Sequence, residues 1–169
     1  VYTRNNFDEL GFLVTQGTGG DVLRPANVAE MNSHGLELSL STSNIKTKNF
    51  SWNTSFVYSY TDSKITKLYT ANPVIQLVTG SGFAKQGYPA RSLFSIPFEG
   101  ISDQGLPLLR NEKGQITSDN INFQERNLTS YLKYEGPTDP KHTGSLGNIF
   151  TYKRFSLNVF LTYAFGNVV

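Results

Sequence analysis

Few side chains in this chain have a type and spacing that could support catalysis or metal binding. The two histidines, His34 and His142, lie far apart in the sequence, and no cysteine is present to complete a ligand set. Zinc sites are usually built from closely spaced cysteine and histidine ligands. We therefore expect both histidines to be ordinary loop residues, with no bound metal and no other cofactor.

Carboxylates are more numerous, and a pair of them could act as the acid and base of a glycosidase. The candidates are Asp8, Glu9, Asp62, Asp103, Asp119, Glu125, Glu135 and Asp139. In loops, such residues usually shape turns or face solvent. Serine, threonine and lysine also occur without the spacing of a nucleophile elbow or a phosphate-binding loop. The sequence therefore predicts a protein that is not an enzyme.

Aromatic side chains in the long segment 62-143 are the remaining candidates for function. Their rings can stack on sugar faces or on apolar side chains, although most aromatic residues in a loop hold the loop itself together. Four of them are our candidates for substrate contact: Tyr69, Tyr88, Phe94 and Tyr131.

The elements that must position these side chains are visible in the last part of the chain. In segment 155-166 every second residue is apolar, and only Phe160 breaks the pattern; the apolar set is Phe155, Leu157, Val159, Leu161, Tyr163 and Phe165. Segment 144-152 alternates more weakly, and the pair Lys153 and Arg154 separates the two segments. A period of two predicts strands, and a pair of turn residues between them predicts a tight hairpin.

Two earlier segments, 34-43 and 50-61, alternate in the same way. Trp52 lies near one end of the second segment and Tyr58 and Tyr60 near the other, as in the aromatic girdles of membrane barrels. A tilted strand of about eleven residues rises roughly 25 Å, which is the height of a barrel's apolar band. The apolar positions should then face lipid. The polar positions should face the lumen: Glu37, Ser39, Ser41, Ser51, Asn53, Ser55, Ser156, Asn158 and Thr162.

Short and long connections alternate along the chain. Asn44–Asn49 and Lys153–Arg154 are short, whereas Asn5–Arg24, read as a surface loop, and segment 62-143 are long and rich in turn residues. Outer-membrane barrels have short periplasmic turns and long external loops. The sequence therefore predicts an all-β fold of antiparallel up-and-down strands, forming an arc of a large transmembrane β-barrel with long external loops.

The composition argues against other classes of protein. The net charge is only +2 and the basic residues are scattered, so a nucleic-acid partner is not expected. No run of about eighteen apolar residues is present, which excludes a transmembrane helix. One alternative stays open: the aromatic stripe could be the inner face of a soluble, carbohydrate-binding β-sandwich.

Several motifs, taken in order, resemble the C-terminal barrel portion of SusC/RagA-type TonB-linked outer-membrane transporters. They are Asn32–Leu40, Phe50–Trp52, Gly87–Pro89, Ser92–Phe94, Phe98–Ile101, Gly105–Pro107, Asp139–Lys141, Thr143–Gly144 and Tyr152–Leu157. At one position the chain departs from the family, which often has glycine where this sequence has Arg154. A turn at this position must then place a non-glycine residue at positive φ or adopt another type.

The resemblance implies a role as one part of a larger transporter. Residues 1-169 would be a fragment of the barrel domain, contributing roughly five strands and no plug domain. The parent would lie in the outer membrane of a Gram-negative bacterium and import glycans or peptides together with a SusD-like surface lipoprotein. Its other partners would be the remainder of the barrel, membrane lipid, and TonB through N-terminal regions absent from this chain.

Overall fold

The computed structural model describes residues 1–17, 20–81 and 83–169. Within these ranges the elements are β1 (Tyr2–Gly17), β2 (Gly20–Lys46), β3 (Phe50–Leu68), α1 (Val74–Thr79), β4 (Ser92–Ser95), β5 (Phe98–Ile101), β6 (Pro107–Arg110), β7 (Ile116–Thr117), β8 (Lys133–Pro137), β9 (His142–Tyr152) and β10 (Phe155–Phe165). None of the described helices is long and apolar enough to cross a membrane.

The largest element is a five-stranded sheet with the order β1-β2-β3-β9-β10. β9 pairs antiparallel with β3 on one side and with β10 on the other, so that Leu146 lies opposite both Phe56 and Leu161. The prediction of an all-β, antiparallel up-and-down fold is confirmed. After β3 the chain leaves the sheet, and it returns as β9, which lies next to β3.

Two short turns lie side by side at one end of this sheet. Tyr152 pairs with Phe155 across the two-residue turn, as the alternation predicts. The backbone N–H of Lys153 donates to the carbonyl oxygen of Asn49 at 2.8 Å, which ties this turn to the one between β2 and β3. The positive φ falls on Lys153, at 52°, rather than on Arg154. A non-glycine residue in that region is uncommon, so this turn stores some backbone strain.

The strands are longer than the sequence indicates. Segment Asn5–Arg24 was expected to be a surface loop, but its described residues belong to β1 and β2, so that expectation is wrong for them; residues 18 and 19 lie outside the described ranges. Pairing with a neighbouring strand outweighs local composition, because strand preference depends strongly on context. Within β1, Asp8 has a φ of 58°, a conformation that aspartate tolerates better than most residues. β3 likewise continues to Leu68.

The chain separates into two compact units. The sheet unit comprises Val1–Thr3, His34–Asp62 and Pro140–Gly166, and the loop unit comprises Arg4–Ser33, Ser63–Asp139 and Asn167–Val169. The loop unit contains the short sheets β4-β8 and β5-β6-β7. Its packed core, here called the loop core, consists of Val74, Leu77, Ala84, Phe94 and Leu132. Most of segment 62-143 therefore belongs to a folded unit with its own core.

Candidate functional site

The sheet unit presents an almost entirely apolar face. The registers of β3, β9 and β10 place paired residues in rows across the three strands, such as Trp52, Phe150 and Leu157. Large side chains on this face remain open: Leu157 is 61% exposed and Leu161 is 58% exposed. The inner face of a β-sandwich would be covered by a second sheet. The described residues place no second sheet over Leu157 and Leu161, so this face lacks the cover that the sandwich alternative requires.

A band of aromatic rings crosses the apolar face at the end opposite the two short turns. The His142 ring stacks on Phe165 with centroids 4.7 Å apart, and its Nδ1 lies 2.8 Å from the Tyr58 hydroxyl. Tyr60 lies 5.0 Å from the same imidazole and 6.5 Å from the ring of His34. The two predicted loop histidines are thus members of an aromatic band on the sheet.

A small polar cluster interrupts the apolar face, and the sequence patterns did not reveal it. Asn148 Oδ1 accepts hydrogen bonds from Trp52 Nε1 at 2.9 Å and from Thr54 Oγ1 at 2.7 Å. Asn44 Nδ2 donates to Thr54 Oγ1 at 2.6 Å. Polar groups are tolerated in apolar surroundings when they are hydrogen-bonded to one another. Thr54 stands at a position where the alternation of segment 50-61 places apolar residues, and Asn148 has no local signal in the sequence.

The opposite face of the sheet unit is mostly polar. One of its rows consists of Ser51, Thr151 and Ser156. Phe160, the exception in the sequence pattern, lies on this face beside Gly147 and is 66% exposed. The two faces therefore differ as strongly as the alternation predicts.

Three of the four predicted contact residues, Tyr88, Phe94 and Tyr131, belong to the loop core or pack against it. Tyr88, Phe94 and Tyr134 form an aromatic cluster with centroid distances from 4.8 to 5.5 Å. Phe94 is 3% exposed, and Tyr131 packs against the same core. The Tyr131 hydroxyl is buried without a hydrogen-bond partner in the described chain. Its burial, followed by the charges of Glu112 and Glu125, raises the pKa of Tyr131.

Tyr69, the fourth candidate, lies apart from this cluster and is 59% exposed. Its hydroxyl donates to Glu30 Oε1 at 2.9 Å, and Lys67 Nζ donates to the same oxygen at 3.0 Å. The hydrogen bond from Lys67, followed by that from Tyr69, lowers the pKa of Glu30. The bond to Glu30 in turn raises the pKa of Tyr69. Its exposed ring is held in place by a charged network.

Two neighbouring clefts open on the loop unit. The first, here called the apolar cleft, has a volume of about 450 Å³, and its lining includes Leu10, Phe12, Val28, Phe83 and Arg91. The second, here called the polar cleft, has a volume of about 350 Å³. Its polar lining consists of Thr70, Asn72, Lys85, Gln86, Arg126, Asn127 and Thr129. Thr70 and Asn72 line both clefts.

Neither cleft has the constellation of a catalytic or metal site. The described residues contain no group of three or more histidine, aspartate or glutamate side chains that could hold a metal ion. Walls of mixed apolar and amide character, with a few charged groups, are typical of binding pockets. The geometry therefore supports binding of a small or extended ligand.

Comparison with known proteins agrees with this architecture. No family model matches the chain. It is 23% identical over 158 residues to TonB-dependent receptor P3 of Formosa agariphila, an alignment that covers 85% of this chain and 16% of the receptor. The chain therefore spans about a sixth of the length of this relative.

Solved structures share the fold. The chain superposes on a structure of the RagAB peptide transporter with a TM-score of 0.72 and 24% identity, covering 98% of this chain and 18% of the matched one. A closed-closed state of the RagAB peptide importer gives a TM-score of 0.70, also at 24% identity, with the same coverage. These similarities confirm the resemblance of this chain's fold to that of SusC/RagA-type TonB-linked proteins.

Proposed function

We propose that this chain forms part of the wall and the external loops of an outer-membrane, TonB-dependent transporter that imports glycans or peptides together with a SusD-like surface lipoprotein. The relatives support the transport role, since one is a TonB-dependent receptor and another is a peptide transporter. The import activity, the substrate and the lipoprotein partner belong to the whole protein, of which this chain is one part.

The observation that carries the proposal is the exposed apolar face of the sheet unit. The row of Phe56, Leu146 and Leu161 has no polar member, whereas the adjoining rows on the opposite face contain serine and threonine. In a transmembrane barrel such a sheet would bury the apolar face in lipid and line the lumen with the polar face. The two short turns at one end and the folded loop unit between β3 and β9 match periplasmic turns and an external loop.

In this arrangement the loop unit supplies the surface that meets the substrate. Among the four aromatic candidates, Tyr69 has the most open ring, and its hydroxyl is held by Glu30. Rings held in this way can stack on sugars or apolar side chains at little entropic cost. Tyr88, Phe94 and Tyr131 pack into or against the loop core, so their proposed role is to hold the surface on which the substrate rests.

Cysteine labelling of the full-length transporter tests the orientation of the sheet. This part of the protein has no cysteine, so single cysteines can be introduced at Leu161 and, as the matched control, at Asn158. A membrane-impermeant maleimide should label Asn158→Cys from the aqueous lumen and leave Leu161→Cys unmodified in lipid. Equal labelling of both cysteines in the membrane would contradict the proposal.

The transport role is tested in cells that carry or lack TonB. Uptake of labelled peptides and oligosaccharides should require both the full-length transporter and TonB, and the transporter should co-purify with a surface lipoprotein. Uptake that is unchanged by loss of TonB would exclude the energised mechanism. Failure to co-purify any lipoprotein would exclude that partner alone.

A further inference from the structure

We propose that the polar cleft of the loop unit is a carboxylate-binding site for the imported molecule, with Lys85 and Arg126 as its cationic ligands. This inference rests on the proposed transport function, because that function supplies the reason for a ligand to reach the loop unit. The site would recognise an acidic group at the end or side of an oligomer.

The position of the two cations is the first observation. Lys85 and Arg126 line the same cleft, although they are far apart in the sequence. Leu77 and Ala84, which are 2% and 4% exposed, form part of the cleft lining and belong to the loop core. The cleft is therefore walled in part by the packed core of the loop unit, and a preformed wall reduces the ordering cost of binding.

The second observation is that neither cation has an acidic partner in the described chain. Lys85 Nζ donates to the carbonyl oxygen of Thr129 at 3.4 Å, and Arg126 Nη1 donates to that of Ala71 at 3.4 Å. Lys85 also lies 6.0 Å from the centre of the Phe94 ring. Both bonds are long and end on neutral acceptors, so each cation keeps most of its capacity to bind an anion.

Five other cations of the chain are bound to carboxylates. Ion pairs of 2.7 to 3.1 Å join a basic side chain to a carboxylate at five positions, namely Lys67, Arg91, Arg110, Lys133 and Lys141. Lys85 and Arg126 have no such carboxylate in the described residues, and they line the same cleft.

The nearest acid in sequence is already engaged. Glu125 Oε1 accepts hydrogen bonds from the backbone N–H groups of Arg126, Asn127 and Leu128, at 3.0, 2.7 and 3.0 Å. These bonds hold the carboxylate against its own turn, so the Arg126 guanidinium forms no ion pair with it. The negative charge of Glu125 reduces the positive potential of the cleft, but its carboxylate forms no ion pair with Lys85 or Arg126.

The form of the cleft favours a carboxylate. A guanidinium binds the two oxygens of a carboxylate through parallel N–H groups, and a nearby ammonium adds a further charge-assisted bond. Gln86 and Asn127 are exposed at the same cleft and offer amide N–H groups to such an anion. Thr70 and Asn72 also line the apolar cleft, so a ligand could place its acidic group in one cleft and an apolar group in the other.

A carboxylate of this kind could come from a peptide or from an acidic sugar, and the experiment separates these sources. Affinities are measured by calorimetry on the purified full-length transporter. The probes are an alanine-leucine hexapeptide with a free C-terminal carboxylate, its C-terminal amide, trigalacturonate, and the neutral methyl ester of trigalacturonate. The variant is Lys85→Gln with Arg126→Gln, and the control is Lys113→Gln with Arg154→Gln, which removes the same two charges from turns outside the cleft.

The expected result is a loss of roughly 10-fold to 100-fold in affinity for one of the acids in the cleft variant, with the control unchanged. The acid that responds identifies the source. The matching neutral probe should bind the variant and wild type equally weakly. Two outcomes would overturn the inference: neither acid binds wild type more tightly than its neutral form, or the variant loses acid and neutral probes alike. Uptake by the wild-type transporter that is unchanged by loss of TonB would instead count against the proposed function, while this binding comparison would still decide the role of the cleft.

Discussion

The hydroxyl of Tyr163, on β10, donates a hydrogen bond of 3.1 Å to the carbonyl oxygen of Val57, on β3, although β9 lies between them. The ring can take this path because it passes over Gly144, its partner in the register. A side chain at position 144 would collide with both the Tyr163 ring and the Val57 carbonyl. The Tyr163 side chain, which packs over Gly144, thus connects β10, β9 and β3.

A second tyrosine makes a similar bridge from the other edge of the sheet. Tyr2, on β1, places its hydroxyl 2.8 Å from Thr61 Oγ1 on β3, and its ring lies against Gly35 on β2. β3 therefore receives a tyrosine from each side. Aromatic side chains that cover glycines are a known means of fixing register in curved sheets.

Replacing Gly144 with valine should destabilise the sheet by about 1–3 kcal/mol, because the ring of Tyr163 must move and its hydrogen bond is lost. Tyr163→Phe, which removes only the hydroxyl, should cost about 0.5–1.5 kcal/mol. Urea unfolding of the full-length transporter in detergent measures both changes. Ser145→Val, on the opposite face of the same strand, is the control. A Gly144→Val variant as stable as this control would show that the crossing is not needed.

Charges introduced on the two faces of the sheet should have unequal costs. Phe56→Lys and Val159→Lys place an ammonium in the apolar face and should each cost about 2–4 kcal/mol near the membrane midplane. Ser55→Lys and Asn158→Lys lie on the polar face and should cost much less. Folding equilibria in lipid vesicles provide the measurement. Equal costs for the two pairs would contradict the assignment of lipid and lumen faces.

The polar cluster on the apolar face predicts a non-additive mutational effect. Asn148→Leu removes the acceptor of Trp52 Nε1 and Thr54 Oγ1, and should cost about 1–3 kcal/mol because their donors are left unsatisfied in lipid. Combining it with Thr54→Val removes one of those donors, so the double variant should recover part of the loss. Unfolding free energies of the two single variants and the double variant test this. Simple additivity would show that the hydrogen bonds contribute little.

The Glu30 network predicts a change in the loop unit at acidic pH. Hydrogen bonds from Lys67 and Tyr69 lower the pKa of Glu30 in the folded state below its unfolded value of about 4.3. A depressed folded pKa contributes stability that is present above the unfolded value and is lost as the pH falls through the folded value. The mobility of Tyr69 should therefore increase as the pH falls through the lowered folded-state pKa of Glu30.

Fluorine NMR of 3-fluorotyrosine at position 69, recorded between acidic and neutral pH, would follow this change. Glu30→Gln should remove the acidic transition, because its amide does not titrate over this range. Asp119→Asn, in a separate turn, is the control and should retain the transition. An acidic transition that persists in Glu30→Gln would assign it to another group.

Much of the sheet was predictable because alternation is a local property. The period of two in segments 50-61 and 155-166 predicted which side chains share a face, and the pairing of Tyr152 with Phe155 followed from the two-residue spacing. The exception at Phe160 was also visible in the sequence. Such patterns follow from the pleat of a single strand, so they can be recognised without knowing which strands lie beside it.

The candidate site was far less accessible from the sequence. Aromatic residues in a long loop could be recognised, but whether each was exposed like Tyr69 or packed like Phe94 depended on the fold of the loop unit. Lys85 and Arg126 showed no pattern at all, because nothing local indicates that two distant cations share a cleft. Composition was also misleading over Asn5–Arg24, where strand pairing outweighed the turn-forming residues.

The amino-acid sequence by itself determined the class of fold, the two faces of the sheet and the short turn at Lys153 and Arg154, since each follows from residues close together in the chain. Tertiary structure alone decided which strands are neighbours. The pairing of β3 with β9 brings Thr54 and Trp52 to Asn148 and carries Tyr163 across Gly144 to the backbone of β3. These contacts join segments that lie on either side of Ser63–Asp139 in the sequence, and their partners are specified only when the chain has folded.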